Sequence, residues 1–175
     1  MIGLAKLAAA VALLALVRQG QDPAKLLQLE QKFREQTDPV HRAKALAKLA
    51  SGEIRAAQEE IRAGQTDQAL GRLDRFRDDA REVYQALQAS GINAVKRPAG
   101  FQELQIALRE SVRRLRDIIF GLSLERRGGF VTAQQDLDQI NNQLLQDLFP
   151  PPPPPKPRRK RHARLPRSLA PRAPS

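Results

Sequence analysis

The sequence predicts an all-α protein: an antiparallel up-and-down bundle of about four long helices, with a short N-terminal lead-in helix and a disordered C-terminal tail. Three observations carry that expectation. Apolar residues recur at alternating spacings of three and four along most of residues 23 to 148, aromatic residues are scarce, and the strict alternation of a half-buried strand occurs nowhere. With six Phe, one Tyr and no Trp among 175 residues, the core must be built from Leu, Ile, Val and Ala. A chain of this length holds one domain plus appendages.

Asp22-Pro23 and Asp38-Pro39 each join an N-cap acceptor to a proline whose missing N–H costs nothing in a first turn, so both mark helix starts. The first opens the lead-in, Pro23 to Gln36. From the second, Ala43, Ala47, Ala50, Ile54, Ala57 and Ile61 keep one apolar seam on one face to about Ala63. Gly52 is a breaker inside that run, costing ~1 kcal/mol relative to Ala, and a close helix contact is its simplest explanation. Gly64 then supplies a left-handed C-terminal position and Thr66 an N-cap, which predicts a hairpin of two helices. The third helix repeats the seam with Ala69, Leu73, Phe76, Ala80, Val83 and Leu87, ending at Gly91. Residues 92 to 100 (INAVKRPAG) form a long irregular connection. Phe101, Leu104, Leu108, Leu115, Ile118 and Leu122 mark a fourth helix, and Val112 and Ile119 widen its stripe enough for two packing neighbours. A last helix, reached through Gly128-Gly129, carries Phe130, Ala133, Leu137, Ile140, Leu144 and Leu148.

The stretch from Gly64 to Phe76 (GQTDQALGRLDRF) resembles the inter-helix turn of tetratricopeptide repeats, where a Gly turn precedes an Ala-Leu pair. The flanking helices are too long for that repeat, no closing Pro follows, and no second copy occurs at its period, so peptide binding is not carried over. The whole layout resembles uncharacterised exported helical proteins of bacteria, a likeness that implies export and no particular activity.

Export is also what the N-terminus predicts. Lys6 precedes Leu7 to Val17, eleven apolar residues closed by Arg18, the arrangement of a signal peptide over residues 1 to 20. At ~1.5 Å per residue the run covers only ~17 Å, against ~30 Å of hydrocarbon. A periplasmic or secreted protein is expected, with a cytoplasmic one as the alternative.

The formal net charge of +11 is unevenly placed. Residues 21 to 149 hold 20 basic residues against all 19 acids, whereas residues 150 to 175 hold eight basic residues and no acid. The basic isoelectric point therefore describes the tail rather than the body. Pro150 to Pro155 predicts a polyproline II spacer of ~3.1 Å per residue. Beyond it, residues 156 to 175 are too polar and proline-rich to bury a core. Lys156, Arg158, Arg159, Lys160, Arg161 and Arg164 are the candidate anion-binding residues there, for an anionic membrane or envelope polymer. Arg109, Arg113 and Arg116, on one face of the fourth helix, are further candidates.

Catalytic chemistry is not expected, nor is a cofactor or metal. The chain has no Cys and two His; His41 lies in a first helical turn without the Glu-x-x-His spacing of di-iron bundles, and His162 lies in the tail. Glu59-Glu60 and Asp78-Asp79 point about 100° apart on a helix, which suits surface residues. Arg75 with Asp79 and Glu110 with Arg114 have the spacing of helix-surface ion pairs. No phosphate loop, nucleophile elbow or dinucleotide fingerprint occurs. From Gly128 to Phe149 there are three acids, no Lys or Arg, and seven Asn or Gln residues. That polarity predicts that the fourth helix's arginines or the tail lie against the last helix. The expected role is structural or interactive, through the tail and through helix faces that suit a protein partner or a homodimer. Nucleic-acid association through KPRRKR is the alternative, weakened by a near-neutral body without aromatic stacking motifs.

Overall fold

The computed structural model describes residues 23–151, so the signal-like segment and the basic tail lie outside the described residues. Five helices occur in order: α1 Pro23–Glu35, α2 Pro39–Arg62, α3 Thr66–Ala89, α4 Phe101–Phe120 and α5 Leu124–Leu148. No strand is present among the described residues. The four long helices run 20 to 25 residues and α1 runs 13, which makes the bundle about 30 to 37 Å long.

Each helix begins and ends where its local chemistry dictates. The Asp38 carboxylate accepts the His41 backbone N–H at 2.8 Å, with Pro39 in the first turn. At the other end of α2, Gly64 adopts φ +80°. The Gln65 N–H then reaches back to the Glu60 carbonyl at 2.8 Å, and the chain reverses into α3. Thr66 is the first residue of α3 rather than its cap. At the start of α4 the Glu103 carboxylate accepts the Gly100 N–H at 2.7 Å.

The α3 seam is buried as its spacing predicts: Ala69, Leu73, Phe76, Ala80, Val83 and Leu87 are all at most 2% exposed. Phe130, Ala133, Leu137, Ile140, Leu144 and Leu148 are the buried set of α5 together with Asn141. Burial of each Leu, Ile, Val or Phe contributes ~1.5–3 kcal/mol before chain entropy is subtracted. On α2 the buried surface is wider than one seam. Leu46, Leu49, Gly52 and Glu53 join Ala43, Ala50, Ile54 and Ala57, because α1, α3 and α4 all pack against this helix.

Helix directions alternate along the chain. Arg42 near the start of α2 meets Glu82 late in α3, and Gln105 near the start of α4 meets Asn141 late in α5. Those pairs are antiparallel. The lateral order is not sequential, because α2 and α5 each pack on both α3 and α4. Gly100, opening α4, approaches Val40 at the start of α2, and Gly129, early in α5, approaches Leu70 early in α3. Hence α2 with α4, and α3 with α5, are parallel neighbours, while α3 and α4 stand on a diagonal bridged by the long connection 90–100. The wide α4 stripe meets its two expected neighbours, α2 and α5.

The expected entry to the last helix is corrected. The connection is only residues 121–123, and Gly128 and Gly129 lie inside α5. A Cβ on Gly129 would sit 2.7 Å from the Leu70 Cδ2. The glycine thus packs against α3 inside the helix rather than breaking it.

Candidate functional site

Two arrangements concentrate charge, and they differ in kind. The first is internal. Arg72 of α3 donates from Nη1 to Glu53 Oε2 at 3.0 Å, and from Nε and Nη2 to Glu60 Oε1 at 3.0 and 2.8 Å. Glu30 of α1 lies 3.9 Å from the same guanidinium. Glu53 is 6% exposed. Burial pushes its carboxyl up to about 7, although Arg72 pulls the other way and Glu30 adds repulsion. Arg72 is held firmly charged, first by its bonds to Glu60. A cavity of about 200 Å³ opens beside this group under α1, between Phe33, Phe76 and Asp79. The cluster joins three helices, and Arg42 stacking 5.1 Å from the Phe33 ring centroid closes the same side.

The second arrangement faces outward. Gln102, Ile106, Arg109, Arg113, Arg116 and Phe120 are all exposed and recur at spacings of four and three, which places them on one ridge of α4. Arg113 approaches Glu110 at 3.8 Å. Arg109 and Arg116 have no ion pair among the described residues. Four other arginines are engaged, Arg42 with Glu82, Arg72 with its three carboxylates, and Arg77 and Arg81 with Asp74, Asp78 and Asp136. Arg55, Arg62 and Arg75 are exposed without an ion pair among the described residues, as Arg109 and Arg116 are. The structure thus brings Arg109, Arg113 and Arg116 together in water. Lys156, Arg158, Arg159, Lys160, Arg161 and Arg164 lie outside the described residues.

Beside this ridge runs the outward stripe of α5, with Thr132, Gln135, Gln139, Asn142 and Gln146 exposed and uncharged. Its acids turn aside, and here the expectation of α4 arginines against α5 is corrected. Asp136 is met by Arg81 at 3.1 Å and Arg77 at 3.7 Å, both from α3. Asp147 accepts from the Tyr84 hydroxyl at 3.1 Å and from Gln88. Burial, and then that carboxylate, push the Tyr84 phenol up to about 12. The parallel packing of α3 on α5 supplies the cations for Asp136, and the tail, the other expected partner, lies outside the described residues. Between α4 and α5 the core holds one polar pair, Gln105 donating to the Asn141 carbonyl oxygen at 3.0 Å.

Of the surface pairs, Glu110 with Arg114 forms at 3.2 Å. Arg75 with Asp79 does not; Asp79 is half-buried, which raises its carboxyl, and Arg34 and Arg42 oppose that rise. His41 is exposed, with Nδ1 2.8 Å from the capping Asp38. Among the described residues no group of three or more His, Asp or Glu is placed to hold a metal, and no helix is long and apolar enough to cross a membrane.

The spacing of α4 shows its arginines, but no periodicity marks the apolar ends of the ridge as exposed. Six large apolar residues are exposed among the described residues: Leu27, Val95, Ile106, Phe120, Leu124 and Phe149. All but Leu27 belong to α4 or to segments adjoining the ends of α4 and α5. Comparison with protein-family models, with curated proteins and with solved structures returned no match.

Proposed function

We propose that this chain is a non-enzymatic, exported interaction protein that holds to anionic surfaces of the cell envelope. The exposed ridge of Arg109, Arg113 and Arg116 carries the reading. It places three exposed arginines at spacings of four and three on one helix face, whereas Arg72 and Arg77 are engaged with carboxylates of the bundle. The basic residues from Lys156 to Arg164 follow Phe149 after a run of six prolines, and they add most of the net positive charge. Each Lys or Arg close to an anionic membrane contributes ~1 kcal/mol, so the tail supplies most of the attraction and the ridge orients the body. Export is supported by the apolar segment Leu7 to Val17 and its flanking Lys6 and Arg18.

The test is retention of the full chain on immobilised heparin, used as a probe polyanion, in a salt gradient. Removal of residues 156 to 175 should lower the eluting salt most, and Arg109→Ser, Arg113→Ser and Arg116→Ser together should lower it further. Elution unchanged by both alterations contradicts the reading. Intact mass of the endogenous protein tests export, because a chain retaining its first ~20 residues in the cytoplasm contradicts a cleaved signal.

A further inference from the structure

The tight turn between α4 and α5 carries the two most exposed large apolar side chains, Phe120 at 84% and Leu124 at 79%. They end one helix and begin the next, so both lie at the same end of the bundle. Much of the backbone beneath them is paired. Arg127 donates from Nε to the Leu122 carbonyl at 2.7 Å and from Nη2 to the Phe120 carbonyl at 3.1 Å. The Gly121 and Leu122 N–H groups reach back to Ile118 and Ile119 at 3.1 Å. Pairing these polar backbone groups internally lowers the cost of bringing the turn to the hydrocarbon boundary. Arg116 lies one helical turn before Phe120 on the same ridge, about 6 Å along the axis, and the exposed Arg126 follows Leu124, its Nη1 3.5 Å from the Thr66 hydroxyl of α3. Arg116, Arg126 and Arg127 outnumber the two acids of the tip, Asp117 and Glu125.

We propose that this turn is a lipid-insertion tip: Phe120 and Leu124 enter the acyl boundary of an anionic phospholipid bilayer while Arg116 and Arg126 meet the headgroup phosphates. The proposal rests on the anionic-surface reading and names the bilayer as that surface. A convex tip with two apolar side chains and flanking guanidinium groups suits a soft, negatively charged phase. Binding then has two components, apolar insertion and polybasic attraction, as stable membrane attachment requires. The competing occupant is a second copy, because the open groove between α2 and α4, lined by Ala47, Ser51, Ile106 and Ala107, is a hollow that another copy's tip would fit.

The chain has no Trp, so Phe120→Trp in the full chain reports on the tip alone. With vesicles of phosphatidylcholine and phosphatidylglycerol, its emission should shift to the blue and be quenched by brominated acyl chains, and pure phosphatidylcholine should give much less of both. Phe120→Ser with Leu124→Ser, at sites exposed enough to leave the fold intact by circular dichroism, should weaken partition onto the anionic vesicles about tenfold. An unshifted, unquenched Trp on vesicle-bound protein overturns insertion, as does wild-type partition of the double Ser variant. Concentration-dependent self-association that the double Ser variant abolishes, without vesicle uptake, assigns the tip to a second copy instead. Retention on heparin without vesicle binding overturns the tip alone, whereas failure on both supports sinks the anionic-surface reading itself.

Discussion

Replacing Arg72 by Met removes the one cation shared by Glu53, Glu60 and Glu30 while keeping most of the buried side-chain volume. Glu53 would be left at 6% exposure with no counter-ion, and Glu60, whose Oε2 is already buried without a partner, would lose both of its bonds. Breaking a fully buried pair costs about 3–5 kcal/mol; with Glu30 and Glu60 partly solvated, about 2–4 kcal/mol is expected here at pH 8. For a bundle of this size that corresponds to a fall in Tm of roughly 8–15 °C. The loss should depend on pH. The folded-state pKa of Glu53 is raised above its unfolded value of 4.5, to about 7, so the native protein keeps a proton that the unfolded chain gives up. Stability from this group is complete below the unfolded pKa and is lost as pH rises through the folded one. Without Arg72 the carboxyl is raised further and the decline steepens. Urea denaturation of wild type and Arg72→Met at pH 5 and pH 8 should therefore show a gap that narrows by about 1–2 kcal/mol at the lower pH. Equal gaps at both pH values, or a loss under about 1 kcal/mol at pH 8, would refute the buried-cluster argument.

Three further outcomes follow from the packing. Gly129→Ala should be close to neutral in the wild type, where the helical gain of Ala is offset by shifting the end of the half-buried Leu70 side chain, and should stabilise by up to ~1 kcal/mol when Leu70→Ala has cleared the space. Thermal denaturation of the four proteins reads that coupling, and additive effects would contradict the close approach. Gln105→Leu or Asn141→Leu alone should each cost about 1–3 kcal/mol by stranding a buried partner, while the two together should be near neutral. A double variant as unstable as the two single losses combined would contradict the pairing. Arg81→Gln should cost under about 1 kcal/mol, because its bond to Asp136 is half solvated and Arg77 remains nearby. A loss several times larger in urea denaturation would show that the α3–α5 ion pairs hold the bundle.

The legible parts of this chain were those governed by period alone. The seam from Ala69 to Leu87 and the ridge from Arg109 to Arg116 each need only the 3.6-residue turn to be placed, and the structure places both on one face. The start of α5 was illegible because Gly128-Gly129 has the local chemistry of a break. The approach of Leu70, a residue 59 positions earlier, bears on Gly129, and nothing in the structure explains Gly128. The diagonal arrangement of α3 and α4 was hidden for a related reason. Alternating directions follow from short connections, but the neighbour across residues 90–100 depends on how four apolar faces share one core. The Arg72 cluster draws on three helices, and no spacing within one helix announces it. Glu53 was the available signal, an acid between Gly52 and Ile54 on the buried side of a seam. Phe120 escaped notice because an apolar residue beside Ile119 reads as core until the turn at Gly121 leaves it outside.

The salt dependence of binding to phosphatidylglycerol-containing vesicles tests the central claim most directly, with the full chain compared against chains lacking residues 156 to 175 and chains carrying the three Arg→Ser substitutions. The account predicts that log K falls linearly with log[salt], that the slope shrinks most without the tail, and that it shrinks further without the ridge. Binding that is independent of salt, or a slope unchanged by both alterations, would contradict it.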